Sequence, residues 1–339
     1  MLRAMDSAVA GLRSHQNKLD VISNNIANVN TYGFKSQSYS FKDTMYQTST
    51  ASAQGKQSTT TAGQAVEGGL NGAQYGYGSL TGSIATDFTS STPSYIGGFN
   101  ACINGSGFFI TNSSNETAGI TIKPKDDSTT TTNMKDKDFA YTRVGQFKVD
   151  SNGYIVDSNG NFVYGYRPNT LVDPTAYGAA DENTAKETRL LYALRAPNET
   201  ITDFTQTSGF SWEGTAIQLK SIEIGNDGII KGVIEHNSEE KHIVIGKVAI
   251  ASFQNQEGLM KAGNNTFNAA PGDNTGKVTV TLPKEGATPS LMAGYLEGSN
   301  VDLAKEFSDM ITTQRGFQAN SKIITVSDEV LQELVNMKR

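Results

Sequence analysis

The sequence predicts an α+β protein, with a discontinuous helical domain formed by the paired N- and C-terminal helices and a central all-β domain with a small insertion. Apolar side chains recur at helical spacing at both ends of the 339-residue chain, and alternating runs separated by glycine-containing turns fill the middle. The expected parts are a terminal helical coiled-coil domain (1–35 with 298–339), a Ser/Thr/Gly-rich linker (36–75), the β domain (76–166 with 218–297) and an insertion or small outer subdomain (167–217).

The N-terminal helix is predicted over residues 2–29, where apolar residues recur at steps of three and four. The wholly apolar heptad track consists of Met5, Leu12, Leu19 and Ile26. Its companion track, Leu2, Val9, Gln16 and Ser23, is half polar. The segment therefore predicts a helix with one narrow apolar face.

The C-terminal helix repeats this arrangement, and Ser299 and Asn300 are its candidate N-caps. One track is apolar: Leu303, Met310, Phe317, Ile324 and Leu331. The other, Phe307, Gln314, Ser321, Asp328 and Val335, is mixed. Neither helix buries its apolar face alone, so we expect the two ends of the chain to pair. Half-polar tracks are incomplete for a two-stranded coiled coil, which predicts that other copies of the chain complete the burial.

The middle of the chain changes character twice. Residues 36–75 are rich in Ser, Thr, Gln, Gly and Ala, too poor in apolar groups to form a core, which predicts a linker. Beyond them, four dipeptides separate strand-like runs and predict hairpins: Asn104-Gly105, Asn152-Gly153, Asn159-Gly160 and Asp227-Gly228. Residues 167–217 contain three prolines and little alternation, which indicates an insertion.

Composition argues against several function classes. A net charge of −6 without a basic run is not typical of nucleic-acid binding, and the absence of an apolar stretch of about 18 residues predicts no membrane insertion. His236 and His242, with glutamates beside them, fit no zinc spacing and are interpreted as a charged hairpin. The single cysteine, Cys102, lies in an alternating run and is interpreted as a buried small hydrophobe. We therefore expect no catalytic site, cofactor or metal.

Both ends of the chain carry recognisable motifs. The stretch "NNIANVNTYGFK" (24–35) and the stretch "SNVDLAKEFSDMITTQRGFQANSKIITVSDEVLQELVNMKR" (299–339) resemble the two terminal motifs of the flagellar axial proteins, the bacterial rod and hook subunits. The middle stretches "INGSGFFIT" and "YTRVGQFKVDSNGYIVD" also have family character. The resemblance implies terminal helices in an inner layer around an axial channel and β domains outside them.

Within that family the C-terminal stretch is most similar to hook subunits. The resemblance implies a non-enzymatic subunit that leaves the cell through the flagellar type III export apparatus and polymerises with itself into a curved tube, a universal joint that transmits torque from rod to filament. The implied partners are the distal rod protein, the hook cap, the hook-length ruler and the hook–filament junction proteins. Two alternatives remain open: a distal rod subunit, and an extracellular adhesive or carbohydrate-binding β protein.

Assembly roles are assigned to residues of the two helices and of the helix exit. Those on the helices are Leu12, Leu19, Ile26, Leu303, Phe307, Met310, Phe317, Ile324 and Leu331. Those at the exit are Asn24, Asn25, Asn28, Gly33 and Phe34. The amides satisfy backbone groups where the helix ends, Gly33 supplies a free φ, and Phe34 is expected to anchor on a neighbouring surface. A C-cap within the chain is the simpler alternative, although the four amides in this stretch, those three and Asn30, exceed what one cap requires.

Overall fold

The computed structural model describes residues 2–56, 68–114, 120–121, 139–166, 190–196, 218–236, 239–284 and 288–337. In these ranges the chain forms two long α-helices and a large β-rich region, and it divides into two compact units. The terminal unit comprises Met1–Val29, Ser36–Asp87 and Val301–Arg339. The β unit comprises Asn30–Lys35 and Phe88–Asn300. The predicted α+β class is confirmed.

Both predicted terminal helices are present. Helix α1 spans Leu2–Ala27 and helix α2 spans Leu303–Met337. Asp302 caps α2, because its Oδ1 accepts hydrogen bonds from the backbone N–H groups of Ala304 (2.9 Å) and Lys305 (3.3 Å). The cap therefore lies two residues beyond Asn300, the nearer of the two candidate caps.

Four strands belong to the terminal unit: β1 (Gln37–Asp43), β2 (Tyr46–Thr50), β3 (Ala73–Gly76) and β4 (Ser79–Thr86). Antiparallel pairs form between β1 and β4 and between β2 and β3. Strands thus occupy much of the segment for which the sequence predicted a linker. Tyr39 and Phe41 share one face of β1, their ring centroids 5.0 Å apart, and the Phe41 ring lies 5.3 Å from that of His15 on α1. The Phe41 ring therefore contacts helix α1 from a strand that is otherwise largely polar.

The remaining strands form the β unit, and every pair among them is antiparallel. They are β5 (Pro93–Tyr95), β6 (Ala101–Ile103), β7 (Phe108–Asn112), β8 (Ile120–Thr121), β9 (Ala140–Thr142), β10 (Lys148–Val149), β11 (Ile155–Val156), β12 (Phe162–Tyr166), β13 (Leu190–Ala193), β14 (Gln218–Ile224), β15 (Ile229–His236), β16 (Glu239–Val248), β17 (Ile250–Phe253), β18 (Met260–Gly263), β19 (Thr266–Asn268), β20 (Val278–Thr281), β21 (Leu291–Ala293) and β22 (Tyr295–Glu297). The main sheet runs in the order β14-β15-β16-β12-β7-β9-β19-β18, and β21 pairs with β6 and β22 with β5.

The Gly-containing turns fall where the sequence placed them. Gly153, Gly160 and Gly228 have φ of 83°, 84° and 78° and connect the paired strands β10–β11, β11–β12 and β14–β15. These three hairpins are confirmed. Gly105, with φ of 143°, also lies at a turn, but β6 and β7 on either side of it pair with other strands. The charged hairpin expected around His236 and His242 is the β15–β16 pair.

Strand β7 is buried on both faces and joins two apolar clusters. Phe109 lies in one cluster and Phe108 and Ile110 lie in the other, each with no exposed surface. Part of the expected insertion also belongs to this core, because β13 pairs with β12 and β8, and Leu191 and Leu194 are fully buried. Residues 167–189 and 197–217 of that insertion lie outside the described residues.

The backbone at Gly145 leaves no room for a side chain. A Cβ there would lie 1.7 Å from the carbonyl oxygen of Ala101. We expect Gly145→Ala to lower the free energy of unfolding of the β unit by about 3 kcal/mol or more, because the two chain segments must separate. Denaturant unfolding followed by circular dichroism measures this. Gly68→Ala, where a Cβ has open space, is the matched control. Equal unfolding midpoints would contradict the prediction.

Candidate assembly surface

The asparagines at the end of α1 form two different kinds of hydrogen bond, within the helix and to other elements. Asn28 caps its own helix, since its Nδ2 donates to the carbonyl oxygen (2.9 Å) and to Oδ1 (2.8 Å) of Asn24. Asn25 is 1% exposed and joins three elements. Its Nδ2 donates to the Gln37 carbonyl oxygen (2.8 Å) and to Oε1 of Glu306 (3.1 Å), and its Oδ1 accepts from the Gln37 N–H (3.0 Å). The amide thus ties the last turn of α1 to β1 and to the first turns of α2.

The peptide that follows α1 belongs to the β unit. Gly33 has φ of 68°, and its N–H donates to the carbonyl oxygen of Glu297 (2.8 Å). A Cβ at this position would lie 2.7 Å from Cγ2 of Val144. Both the left-handed backbone and the close contact therefore require glycine.

A buried ion cluster fixes the end of this peptide. The Lys35 ammonium lies 2.8 Å from Oε1 of Glu297 and donates to the Thr89 carbonyl oxygen at 2.7 Å. Nη1 of Arg143 lies 3.5 Å from Oε2 of Glu297 and donates to the Gly105 carbonyl oxygen at 2.7 Å. The three charged side chains are at most 1% exposed. Burial lowers the pKa of the Arg143 guanidinium, and the Glu297 carboxylate opposes this effect.

The same cluster influences Cys102. Burial, followed by the negative charge of Glu297, raises the pKa of its thiol to about 11. The thiol is therefore protonated at neutral pH, and its 3% exposure agrees with a buried small hydrophobe.

Phe34 is covered by its own chain. The ring is 8% exposed, and the Lys261 ammonium lies 4.4 Å from its centroid while donating to the Lys35 carbonyl oxygen at 2.7 Å. Partial burial lowers the pKa of Lys261 to about 8. The sequence assigned Phe34 to a neighbouring surface, but here it packs within the β unit, because the positive φ at Gly33 turns the chain back.

The two helices pack antiparallel through small and polar residues. A Cβ on Gly11 would lie 2.6 Å from Nδ2 of Asn320, and one on Gly316 would lie 2.7 Å from Cε1 of His15. Asn25 and Glu306 form the third contact along the pair. The buried residues on this side include Ala8 and Thr313. Glycine allows the two backbones to approach closely, so polar groups pack where larger side chains do not fit.

The apolar heptad tracks are not the most buried lines of the helices. Most of the helix residues assigned to assembly are half-buried: Leu12, Leu19, Ile26, Met310, Phe317, Ile324 and Leu331. Leu303 and Phe307 are exposed. Asn24 is exposed and Asn28 is half-buried. The heptad pattern thus selected the correct helices, whereas the closest contacts follow the glycines.

Helix α2 carries two exposed apolar stripes. Leu303, Phe307 and Ile311 form the N-terminal stripe at four-residue spacing and are 39%, 50% and 55% exposed. The C-terminal stripe consists of Ile323, Val326, Val330 and Leu334, all exposed. Large apolar side chains aligned on a helix and open to water are typical of a surface that binds another protein.

The β2–β3 ribbon adds to this exposed surface. Both strands are exposed along their whole length, including Tyr46 and Tyr75. A two-stranded ribbon is only marginally stable in water by itself, so contact with another chain would stabilise it.

Features of other protein classes were also sought in the part of the chain that the structure describes. Within it, no group of three or more His, Cys, Asp or Glu side chains is arranged to hold a metal ion. Neither described helix combines the length and the apolar character needed to cross a membrane. What the described residues do present is apolar helix surface open to water, which is typical of a surface that binds another protein.

Comparison with known families identifies the class of protein to which the chain belongs. Residues 5–35 match the family "Flagella basal body rod protein", residues 131–232 match "Flagellar hook protein FlgE/F/G D1 domain", and residues 292–337 match "Flagellar basal body rod FlgEFG protein C-terminal". The matches cover both terminal motifs and part of the β unit.

Individual proteins align along the whole chain. The flagellar basal-body rod protein FlgG of Bacillus subtilis is 35% identical over 340 residues, with 100% of both chains covered. The flagellar hook protein FlgE of Borreliella burgdorferi is 27% identical over 475 residues, again covering both chains completely. FlgG of Agrobacterium fabrum is 29% identical over 330 residues, covering 97% of each. The chain belongs to the flagellar rod and hook protein family, whose members are structural proteins and not enzymes.

Sequence reasoning missed the ion cluster. It selected Gly33 and Phe34 but neither Lys35 beside them nor its partner Glu297, which is 262 positions away in the chain. The available signal was a charged residue within an apolar strand context, as in "YTRVG" around Arg143 and "GYLEG" around Glu297. Charges at such positions require a partner when they are buried.

Removing Glu297 leaves two cations in the core without their counter-ion. We expect Glu297→Ala to lower the free energy of unfolding by about 3 to 5 kcal/mol. Glu240→Ala is the matched control, because Glu240 pairs with Lys220 at the surface and is 56% exposed, where an ion pair contributes little to stability. Chemical denaturation of both variants measures the difference. Similar losses would show that the cluster contributes no more than a surface pair.

His15 is a titratable side chain at the contact between the two helices. Burial and the nearby Lys18 lower its pKa from the ordinary value of 6.5, and its buried Nδ1 has no hydrogen-bond partner among the described residues. The folded state therefore favours the neutral imidazole of His15. Above about pH 6.5 the ring is neutral in the folded and the unfolded chain, and the stability of the folded state is highest. As the pH falls below that value, protonation of His15 favours the unfolded chain and the stability decreases.

We expect the helical signal of the protein to melt at lower temperature as the pH is lowered through this range. His15→Gln should weaken the pH dependence, since glutamine does not titrate. Thermal melts at 222 nm across the range compare the two proteins. An unchanged pH profile in the variant would assign the effect to other groups.

Proposed function

We propose that this protein is an axial subunit of the bacterial flagellum that polymerises with itself into a tube, and specifically that it forms the hook. The observation that supports polymerisation best is the pair of apolar stripes on α2, exposed in the single chain. Burying a Phe or Ile side chain contributes about 1.5 to 3 kcal/mol, so a contact that covers either stripe would drive association. Self-association also fits the rod and hook proteins that the chain resembles.

Hook formation is proposed on the similarity of the C-terminal segment to hook subunits. A hook bends as it rotates, so neighbouring subunits must exchange contacts. The many Asn, Ser and Thr residues of the sequence suit this exchange, because polar groups replace one hydrogen-bond partner with water at small net cost. The partners proposed with this function are the distal rod protein, the hook cap, the hook-length ruler and the hook–filament junction proteins, with export through the flagellar type III apparatus.

A distal rod subunit is the second candidate. It is favoured by the 35% identity to the Bacillus subtilis rod protein over the full length of both chains. Electron micrographs of polymers grown from the purified chain distinguish the two: curved hollow tubes support the hook, straight ones support the rod. Protein that stays monomeric at high concentration, with intact helices, would contradict both.

Polymerisation should depend on the N-terminal stripe. We expect the double substitution Phe307→Ser and Ile311→Ser to raise the concentration needed for polymer formation about tenfold or more, because the buried apolar area is lost. The melting temperature of the monomer should change little, since both side chains are exposed. Sedimentation at graded concentrations measures the effect.

Met260→Ser is the control for that experiment, because Met260 is an exposed apolar residue of the β unit. Normal polymer yield from the double variant would remove the N-terminal stripe from the interface.

A further inference from the structure

Helix α1 and strand β4 leave a groove between them on the terminal unit. Its volume is about 340 Å³, and its lining includes Val9, Ala10, Arg13, Asn17, Leu80 and Thr81. Val9 and Leu80 are partly open to solvent, 39% and 49% exposed. We call this site the α1–β4 groove. Asp6 and Ser14 also line it, so the groove combines an apolar floor with one basic and one acidic side chain.

The groove lies on a different side of α1 from α2. Val9 and Arg13 follow each other at a four-residue interval on the groove side, while Gly11 and His15 contact α2. The two sets are offset by two residues, or about 200° around the helix axis. The groove therefore stays open when α2 is in place.

Val326 of the C-terminal stripe is likewise directed away from α1. Val326 follows Asn320, which contacts Gly11, by six positions, or about 240° around the axis. Val330 continues the stripe and Glu333 follows it at helical spacing, so a carboxylate lies within the apolar line. One copy thus presents the groove and the stripe on separate surfaces.

The helix segments that carry the two surfaces differ in net charge. Residues 2–18 of α1 contain three basic residues and one acidic residue, a net charge of +2, whereas residues 323–337 of α2 contain three acidic residues and no Lys or Arg, a net charge of −3. Arg13 and Glu333 are both exposed. Among the described residues, neither forms an ion pair within the chain. Each is available to a second molecule of opposite charge.

We propose that the C-terminal stripe of one copy docks into the α1–β4 groove of a second copy, with Glu333 of the first placed beside Arg13 of the second. Val326 and Val330 would cover the floor formed by Val9 and Leu80. The contact joins two different patches, so it is heterologous, and repeating it adds copies without closing into a dimer. This assignment rests on the proposed self-assembly and identifies the surfaces that carry it.

Charge exchange tests the pairing. We expect Arg13→Glu and Glu333→Arg each to raise the concentration needed for polymer formation about tenfold, because each places like charges together in the contact. Combining both substitutions restores opposite charges and should return polymer formation to within about threefold of the unchanged protein. Lys148→Glu, an exposed site in the β unit with the same change of net charge as Arg13→Glu, is the control and should polymerise normally. A double variant as defective as the single ones would overturn the pairing.

Disulfide cross-linking of mixed copies separates failure of the contact from failure of assembly. Leu80→Cys and Val330→Cys proteins, one of them carrying an affinity tag, are mixed, polymerised and oxidised; the native Cys102 is 3% exposed. Docking predicts a disulfide-linked pair containing one tagged and one untagged chain. Polymers without this product would reject the groove while self-assembly stands. Absence of polymer from the unsubstituted protein would reject the proposed function itself.

Discussion

The packing of α1 on α2 through glycine and polar side chains is the constraint on which the rest of the terminal unit depends. Gly11 and Gly316 bring the two backbones close together, and the space left between them is filled by Asn320 and His15. Ile22 is buried on the same side of α1, whereas the large apolar side chains of the heptad tracks remain half-buried or exposed. A chain that kept this arrangement in isolation would hold a substantial apolar surface in water. Association with further copies removes that surface from solvent, so the pairing of the helices within one chain creates the requirement for pairing between chains.

In the β unit, the buried ion cluster holds together two segments that are distant in the sequence. Lys35 is the last residue of the short peptide that follows α1, and Glu297 lies three residues before the chain returns to the terminal unit. Their ion pair therefore holds together two points near which the chain leaves the β unit for the terminal unit. An apolar pair of similar volume could be equally stable, since desolvation offsets most of the attraction between buried charges. The charges instead make the arrangement of the chain specific. The Lys35 ammonium donates to one carboxylate and one carbonyl oxygen, so a shifted strand would leave an unpaired charge in the core.

How far the sequence predicts this structure depends on the range of the interactions involved. The helices and the Asn-Gly and Asp-Gly hairpins follow from local spacing and from the φ that glycine permits, and both were predictable. The helix contact was not, because heptad counting gives weight to apolar residues and none to Gly11 or Gly316, which decide the approach. Strands β1 and β2 were not predicted, because a segment rich in Ser and Thr is typical of a linker. Here these residues occupy exposed faces of the strands. Arg143 and Glu297 were missed because they pair with residues distant in the chain, and local sequence does not show which charged residues will be buried together.

The separation of surfaces on the terminal unit bears on how a tube could grow from it. An interface made of one self-complementary patch closes when two copies meet, whereas distinct patches on different sides leave every added copy with a free surface. Each patch here is small, so one contact alone would hold two copies weakly. A copy entering a lattice makes several such contacts at once, and their combined strength far exceeds that of any single one. Free copies would then remain separate in solution while addition to an existing end is strongly favoured. Apolar contacts among the helices would supply the cohesion of such a lattice.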